Sequence, residues 1–354
     1  SDWLAQLGEV AVAIAQAKNI AAPAEFAQLQ PSATAKQIAT SLMSGEPRGI
    51  FLGNAAAQHP QAAELHAIAQ WIAQNTDAGF GYLTEGANTV GGYLAKALPA
   101  NGAVAQDFFA QPRKAYLLVH AEPQFDCANP TEAKAALDKA EMVVVMSPFK
   151  HGMDYADVLL PISPFSETSG TFVNAEGRAQ GFNGSVKPLG DTRPGWKVMR
   201  VLGNLLDLGG FEQDRSEQVR KEVLGTDKLD GLDLTSRLNN IVKQPLPAIP
   251  ANADGLQRVA DVPTYFTDAI VRRAHALQQT KSAQEPRAVL PPAVAAQLGV
   301  LEGATVRVKQ GAASAVMACV IDTSLPANVV RVAAGHPATA TLGAMFGAIS
   351  VEKA

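Results

Sequence analysis

Short runs of uninterrupted apolar residues, separated by segments that resemble helices, limit most strongly how this chain can fold. Met142–Met146 is apolar at every position, and Tyr116–Val119 and Val158–Leu160 are similar. Thr131–Ala140, with Thr131 as its expected N-cap, is predicted to form a helix between two of these runs. Strands that are apolar on both faces need cover on both faces, and parallel sheets obtain it from their connecting helices. The sequence therefore predicts an α/β fold with a doubly wound, mostly parallel sheet.

Changes in composition divide the chain into three parts. Residues 1–210 carry the alternating strands and helices, and we expect an incomplete α/β module whose N-terminal part is missing, since the chain has no initiator Met. Residues 211–284 are charged and predicted to form a helical extension, with a Pro-rich linker at Gln244–Pro250. In residues 285–354, short β-rich runs alternate with Gly and Pro turns, which predicts a small β-barrel.

Charge and cysteine content argue against several classes of function. The net charge is −4 and the isoelectric point is near 5.9, whereas a nucleic-acid partner would require a basic face. Cys127 and Cys319 are the only cysteines, too few for an iron–sulfur cluster with its roughly four thiolates or for a zinc ribbon. No signal peptide and no apolar run of about 20 residues is visible. We therefore expect no nucleic-acid partner, no metal site and no membrane span in this chain.

The segment Ala156–Gln180 concentrates the residue types that could carry chemistry. Asp157 precedes an apolar strand that Pro161 is expected to end, and a loop rich in hydroxyl groups follows. A turn and the planar donor group of an arginine come next, and such a group suits an anion. One interpretation is a hairpin with an internal Glu–Arg pair, and the other is a polar groove along an extended cofactor. The candidate groove residues are Glu167, Gly170, Thr171, Asn174, Glu176, Gly177 and Arg178.

This segment resembles the molybdopterin oxidoreductase family, in which an A-D-V-x-L-P strand is followed by E-x-x-G-T-x-x-N-x-E-G-R-x-Q. Gly102–Ala140 is similar to an α/β unit of the family that has a nucleotide-binding loop after its strand. Ala288–Val351 resembles the family's C-terminal double-psi β-barrel. Val262–Thr280 resembles one branch of the family, the C-terminal part of the large iron–sulfur subunit of bacterial NADH:quinone oxidoreductase, or complex I. Within it, Ile270–Leu277 is predicted to be a helix with Arg272 and Arg273 on its polar side.

This resemblance implies a scaffold that is not catalytic by itself. Electrons would pass from NADH to quinone through iron–sulfur clusters outside this chain, which implies such clusters for the intact subunit. The implied partners are the other peripheral-arm subunits of complex I, at the cytoplasmic face of the bacterial inner membrane. The alternative is a molybdopterin-dinucleotide-dependent oxidoreductase that keeps its cofactor. A third possibility is a binding module that holds a free nucleotide in the same groove.

One departure from the family pattern decides between these expectations. Cofactor-bearing relatives have a loop like Gly-x-Asn-Pro after the strand, whereas this chain has His120, Ala121, Glu122 and Pro123. Two unit charges about 4 Å apart repel by about 4 kcal/mol at an effective dielectric constant of 20, so Glu122 would oppose a pyrophosphate. We expect His120 to be a turn histidine at the strand end. Glu122 and Pro123 are therefore assigned to a family groove predicted to be empty, and molybdopterin is predicted to be absent.

Overall fold

The computed structural model describes residues 3–98, 104–250 and 254–354, so Gly102, the first residue of the resemblance to the family's α/β unit, lies outside the described residues. The chain forms two compact units, each assembled from separate segments. The first spans Ser1–Gly91, Val173–Ala179 and Gly231–Asp254, and the second spans Gly92–Phe172, Gln180–Asp230 and Gly255–Ala354. The three-part division at residues 210 and 284 stays a prediction.

Helices and strands alternate along the first two thirds of the chain. Up to residue 94 they are α1 (Trp3–Lys18), α2 (Ala33–Met43), β1 (Gly49–Leu52), α3 (Asn54–Ala57), α4 (Ala62–Thr76), β2 (Gly79–Tyr82) and α5 (Thr89–Leu94). From residue 105 to residue 205 they are α6 (Ala105–Ala110), β3 (Ala115–Val119), α7 (Pro123–Asp126), α8 (Pro130–Leu137), β4 (Met142–Ser147), β5 (Val158–Ser163), β6 (Gly170–Val173), β7 (Ala179–Phe182), β8 (Arg193–Pro194) and α9 (Gly195–Leu205).

Short strands dominate the chain from residue 216 onward. The elements there are α10 (Ser216–Leu224), β9 (Gln257–Val259), α11 (His275–Gln278), β10 (Ala288–Leu290), α12 (Pro292–Leu298), β11 (Thr305–Gln310), β12 (Ala313–Ile321), β13 (Val329–Arg331), β14 (Gly347–Ala348) and β15 (Ser350–Lys353). No helix in the described ranges combines the length and the apolar character that crossing a bilayer would take.

The first unit is built around α1, which packs against α2 and α4. Helix α1 is apolar around much of its circumference, and its buried residues include Leu4, Val10 and Ile14. Burial of such a helix on several sides stabilises the folded state by roughly 1.5–3 kcal/mol for each large aliphatic side chain. Strands β1 and β2 pair in parallel beside these helices, with Gly49 opposite Gly79.

The second unit contains a parallel sheet with the strand order β3-β4-β5-β8. One face of this sheet packs against α6 and α8 through side chains such as Leu118 and Val145. The opposite face is only partly covered, because the side chains of Leu117 and Met142 are 44% and 50% exposed. The chain is thus a mixed α/β protein with parallel sheets, whereas the expected cover on both faces is incomplete.

Seven short strands from the last hundred residues form a mixed sheet that closes almost into a barrel, with the order β14-β9-β13-β10-β12-β11-β15. Its core consists of small and branched aliphatic side chains, such as Val306, Val308 and Leu342. Arg258 of β9 is also buried there, with 1% of its surface exposed. Its guanidinium donates to the carbonyl oxygens of residues 332, 333, 343 and 344 at 3.0–3.3 Å and to the side-chain oxygen of Gln310 at 3.0 Å.

Two predicted element ends are wrong for local reasons. Helix α8 begins at Pro130, and Asn129 is its N-cap, because the Asn129 side chain accepts from the N–H of Glu132 at 3.3 Å. Thr131 therefore lies inside the first turn and is not the cap. Strand β5 continues past Pro161 to Ser163, since Pro161 pairs in register with Ser147 of β4.

Two predicted helices are shorter than expected. In the predicted helical extension of residues 211–284, the stretch up to residue 243 has an α-helix only at Ser216–Leu224. The predicted helix Ile270–Leu277 is broken into a short 3₁₀ turn at Val271–Arg273 and α11, because Ala274 adopts an extended conformation with ψ 91°. The break directly follows Arg272 and Arg273, whose side chains pair with the buried carboxylate of Glu122.

Candidate functional site

The carboxyl ends of β3, β4 and β5 meet at one edge of the parallel sheet. Open α/β sheets bind ligands in a crevice outside the carboxyl ends of their strands. His120, Ser147 and Ser163 lie at the three strand ends. His120 has a positive φ of 54°, and its N–H donates to the carbonyl oxygen of Met146 at 2.9 Å. This residue turns the chain away from the sheet, as expected for a turn histidine.

A cavity of about 790 Å³ lies at this edge. Its wall mixes aromatic rings with a few polar groups, and includes His120, Ser147, Phe149, Ser163, Phe165 and Trp196. The indole Nε1 of Trp196 is buried and has no hydrogen-bond partner among the described residues. Burial lowers the pKa of His120, so its imidazole is neutral near pH 7. A mostly apolar wall with few polar groups is typical of a site for a small organic ligand.

A buried group of charges lies beside the cavity. Glu122, whose surface is 1% exposed, accepts from Arg272 Nη1 at 2.7 Å and pairs with Arg273 Nη2 at 2.6 Å. Arg272 also pairs with Asp126, which in turn accepts from the backbone N–H of Glu122 at 2.6 Å. The ring of His151 lies 4.0 Å from the second oxygen of Glu122. Arg272 and Arg273 thus neutralise two carboxylates.

The electrostatics of this group follow from burial and hydrogen bonding. Burial by itself raises the pKa of Glu122, but hydrogen bonds from Arg273 and Arg272 outweigh it and leave the pKa below its ordinary value. Glu122 is therefore ionised near pH 7. Burial lowers the pKa of His151, more than the neighbouring carboxylate raises it, so this imidazole is neutral. Pro123 is buried and starts α7 directly after Glu122.

The predicted turn residues belong to the first unit. The side-chain oxygen of Asn174 accepts from the N–H groups of Glu176 at 3.1 Å and Arg178 at 2.9 Å, which fixes the turn after β6. Gly177 has a φ of 85° and is buried, so that a Cβ there would overlap Leu238. Glu176 and Arg178 are exposed, and no ion pair joins them within the described ranges.

The other predicted groove residues belong to the second unit. Glu167 lines a smaller cavity of about 580 Å³ and accepts from the N–H of Leu189 at 3.2 Å. Gly170 and Thr171 lie on β6, and a Cβ on Gly170 would overlap the ring of Phe182. Of the residues assigned to the groove, Glu122 lines the larger cavity and Glu167 the smaller one. A ligand role for all nine stays a prediction.

Arg272, Arg273 and His151 were not predicted as site residues. Arg272 and Arg273 were expected on the polar side of a helix. A local signal did exist, because two adjacent arginines interrupt an apolar stretch. Their partner is Glu122, 150 residues earlier, and no local pattern reveals so distant a contact.

The comparison with protein families agrees with this architecture. Residues 17–205 match the family model of molybdopterin oxidoreductases, which is more than half of the chain. The chain belongs to the molybdopterin oxidoreductase family.

Individual relatives match over shorter stretches. A protein of Staphylococcus haemolyticus (strain JCSC1435) named "Putative formate dehydrogenase" is 31% identical over 143 residues, which is 40% of this chain and 14% of that protein. A protein of the same name in Staphylococcus aureus (strain MRSA252) is 41% identical over 80 residues, 22% of this chain and 8% of that protein. Among solved structures, acetylene hydratase from Pelobacter acetylenicus matches with a TM-score of 0.46 and 16% identity, over 74% of this chain and 46% of that one.

These findings correct one expectation. The prediction that molybdopterin is absent is wrong, because family membership and the relatives named as formate dehydrogenases point to a molybdopterin cofactor. The predicted repulsion between Glu122 and a pyrophosphate requires an isolated carboxylate. In the structure two arginines neutralise it, so it does not act as an isolated negative charge.

The larger cavity fits the heterocycle of such a cofactor better than its phosphate groups. The unpaired indole N–H of Trp196, the Ser163 hydroxyl and the ring of Phe149 suit a flat heterocycle with nitrogen and oxygen acceptors. For a phosphate group the wall offers Glu122 and Asp268 but neither lysine nor arginine among its described residues. The pterin ring therefore fits this cavity, and a bare pyrophosphate does not.

Proposed function

We propose that this chain is part of a molybdopterin-dependent oxidoreductase and holds the heterocycle of the cofactor at the carboxyl edge of β3, β4 and β5. The observation that carries the proposal is the cavity there, whose wall includes Trp196, a residue with a buried indole N–H that has no partner among the described residues. Trp196 would donate to the heterocycle, and Phe149 would pack against its face. When bound, the cofactor supplies the electron-transfer chemistry, and the protein supplies binding and orientation.

The cavity wall also explains why the ring would be held away from water. Phe149, Trp196 and Met199 give this wall its apolar surface, and a partly enclosed site strengthens each hydrogen bond made inside it. As part of the proposal, we infer that the parent sheet is doubly wound and that the barrel-like sheet has the double-psi connectivity of the family. The curated relatives are far longer than the stretches matched here, so the substrate and the whole reaction are outside this proposal.

The experiment measures the cofactor directly. The complete protein is purified from cells in which another molybdenum enzyme is active, and its molybdenum and oxidised pterin are quantified. We expect about one pterin for each protein chain or more. Trp196→Phe keeps an aromatic ring and removes the N–H donor, so that it should reduce the pterin content, whereas Trp71→Phe, outside the cavity, should not. A wild-type protein with neither molybdenum nor pterin would refute the proposal.

A second candidate is the branch that includes the large iron–sulfur subunit of bacterial complex I. Its support is Val262–Thr280, which resembles that branch and supplies Arg272 and Arg273 to Glu122. On this proposal the partners are the other peripheral-arm subunits, the position is the cytoplasmic face of the inner membrane, and the iron–sulfur clusters lie outside this chain. Cross-linking of the tagged protein in cells tests it. Links to NADH dehydrogenase subunits would support it, and links only to formate-oxidising partners would refute it.

A further inference from the structure

The group formed by Glu122, Arg272, Arg273 and His151 has the composition of an anion site. Two guanidinium groups approach one carboxylate from two directions, with N–O distances of 2.7 and 2.6 Å. Planar guanidinium groups bind carboxylate and phosphate oxygens with the same donor geometry. The site is therefore suited to an oxyanion, and Glu122 supplies that oxyanion from within the chain.

Both arginines are held in place independently of Glu122. Arg272 Nε donates to the carbonyl oxygen of Phe266 at 2.9 Å, and its guanidinium lies over the ring of Phe125. Arg273 Nη1 donates to the carbonyl oxygen of Ala269 at 3.0 Å. These contacts would keep both side chains in position if the carboxylate were removed.

A second observation points to a ligand at the same place. His151 is 8% exposed, and within the described residues neither of its ring nitrogens has a hydrogen-bond partner. Its Nε2 lies 4.0 Å from Glu122 Oε1, beyond hydrogen-bond distance. A buried imidazole with two unpaired nitrogens costs free energy unless a further group satisfies it. An oxyanion larger than a carboxylate would reach it.

Arg273 connects this group to the cavity. Its guanidinium lies over the ring of Phe149, which is part of the cavity wall, and its side chain is 34% exposed. The side chain of Arg272 is only 6% exposed. Arg273 is therefore the more exposed of the two arginines, and it contacts the cavity wall through Phe149.

We propose that Arg272, Arg273 and His151 form an oxyanion-binding site for phosphate-type ligands, and that Glu122 fills it as a built-in competitor. The wild-type chain then binds phosphate poorly at this place, because the Glu122 carboxylate already pairs with both arginines. This proposal needs no bound cofactor, so it stands or falls separately from the proposed function.

Titration with inorganic phosphate tests it on the full chain. Glu122→Gln keeps the shape of the side chain and removes its charge, which should strengthen phosphate binding about tenfold or more over wild type. Glu122→Gln combined with Arg273→Gln should lose that gain. Glu141→Gln makes the same chemical change at an exposed ion pair with Lys114 and should leave phosphate binding unchanged.

Thermal unfolding gives a second readout, because a ligand that binds only the folded state raises the melting temperature. Phosphate should raise it for Glu122→Gln more than for wild type or for the double variant. If Glu122→Gln does not fold without phosphate, refolding is measured over a phosphate series. Recovery with phosphate would support the proposal. Equal phosphate affinity in wild type and Glu122→Gln, or failure to refold at every phosphate concentration, would overturn it.

Discussion

Arg258 is a buried cation that backbone carbonyl groups hold without a carboxylate. Its guanidinium donates to four carbonyl oxygens and one amide oxygen at 3.0–3.3 Å inside the barrel-like sheet. Burial lowers its pKa to about 10, which still leaves it charged near pH 7. We predict that Arg258→Met, which fills a similar volume, destabilises this sheet by about 3–5 kcal/mol.

The magnitude follows from the acceptors that the substitution leaves behind. A hydrogen bond to a charged group contributes roughly 1.5–3 kcal/mol net, and each buried acceptor left without a partner costs about 1–3 kcal/mol. Five such bonds would sum to more, but backbone relaxation and water entry reduce the total, as for other buried charges. The predicted range is therefore below a simple sum.

Hydrogen exchange followed by mass spectrometry measures this effect locally, because amides of β11 and β12 exchange only when the sheet opens. The matched control is Arg307→Met on β11, where the arginine side chain is 40% exposed and pairs with Glu352 at 3.4 Å. Such surface pairs contribute about 1 kcal/mol or less. If both variants change protection of β11 and β12 equally, the role assigned to the carbonyl groups around Arg258 is wrong.

Three further predictions concern a turn, a docked segment and a titrating cap. Gly177→Ala should destabilise the chain by about 1–3 kcal/mol in thermal unfolding, because its φ is 85° and the new methyl would meet Leu238. Gln70→Ala should speed proteolysis near Val242 roughly tenfold, since Gln70 both accepts from and donates to that backbone at 2.8 and 3.1 Å. His336 Nδ1 accepts from the backbone N–H two residues later, and burial lowers its pKa. The unfolded chain therefore binds protons at His336 more readily than the folded chain does. The stability that neutral His336 contributes is present above about pH 6.5 and is lost as the pH falls. His336→Asn should reduce this loss of stability, measured by urea titrations at several pH values.

Each of these predictions has a matched control in the same chain. Glu176→Ala changes an exposed neighbour in the same turn, Gln74→Ala changes an exposed glutamine on the same helix, and His275→Asn removes an exposed histidine. Each control should leave the measured quantity nearly unchanged. If a control variant changes the measured quantity as much as the variant it is matched to, the reason given for that prediction is wrong. For His336, equal acid sensitivity of wild type and variant would contradict the cap.

Local signals predicted many of the elements. Local residues mark both ends of α12, because proline at position 292 suits a helix start and Gly299 adopts the left-handed conformation with φ 62° after its last turn. Met142–Met146 lies in strand β4, as its apolar run predicts, and Val143, Val145 and Met146 are buried there. The failures also have local causes. Asn129 is a better cap than Thr131 at that position, and Ala274 carries no signal that a helix must break there.

The candidate site was predicted only in part. The sequence located the loop after β3 and singled out Glu122, but it treated the carboxylate as unpaired. Whether Glu122 repels a ligand depends on its pairing with Arg272 and Arg273. Arg272 lies 150 residues after Glu122 in the sequence. The buried N–H of Trp196 was missed too, because an indole in an amphipathic helix carries no mark of whether its donor is paired.

By itself the sequence determined the family, the alternation of parallel strands with helices, and the turns that need glycine or proline. These depend on interactions within a few residues, such as steric limits on φ and hydrogen bonds to the next turn. Only the tertiary structure decided which charges are neutralised and which donors stay unpaired. The charge state and pairing of a buried group depend on whatever distant segment packs against it, since burial makes an unpaired charge costly and a paired one tolerable.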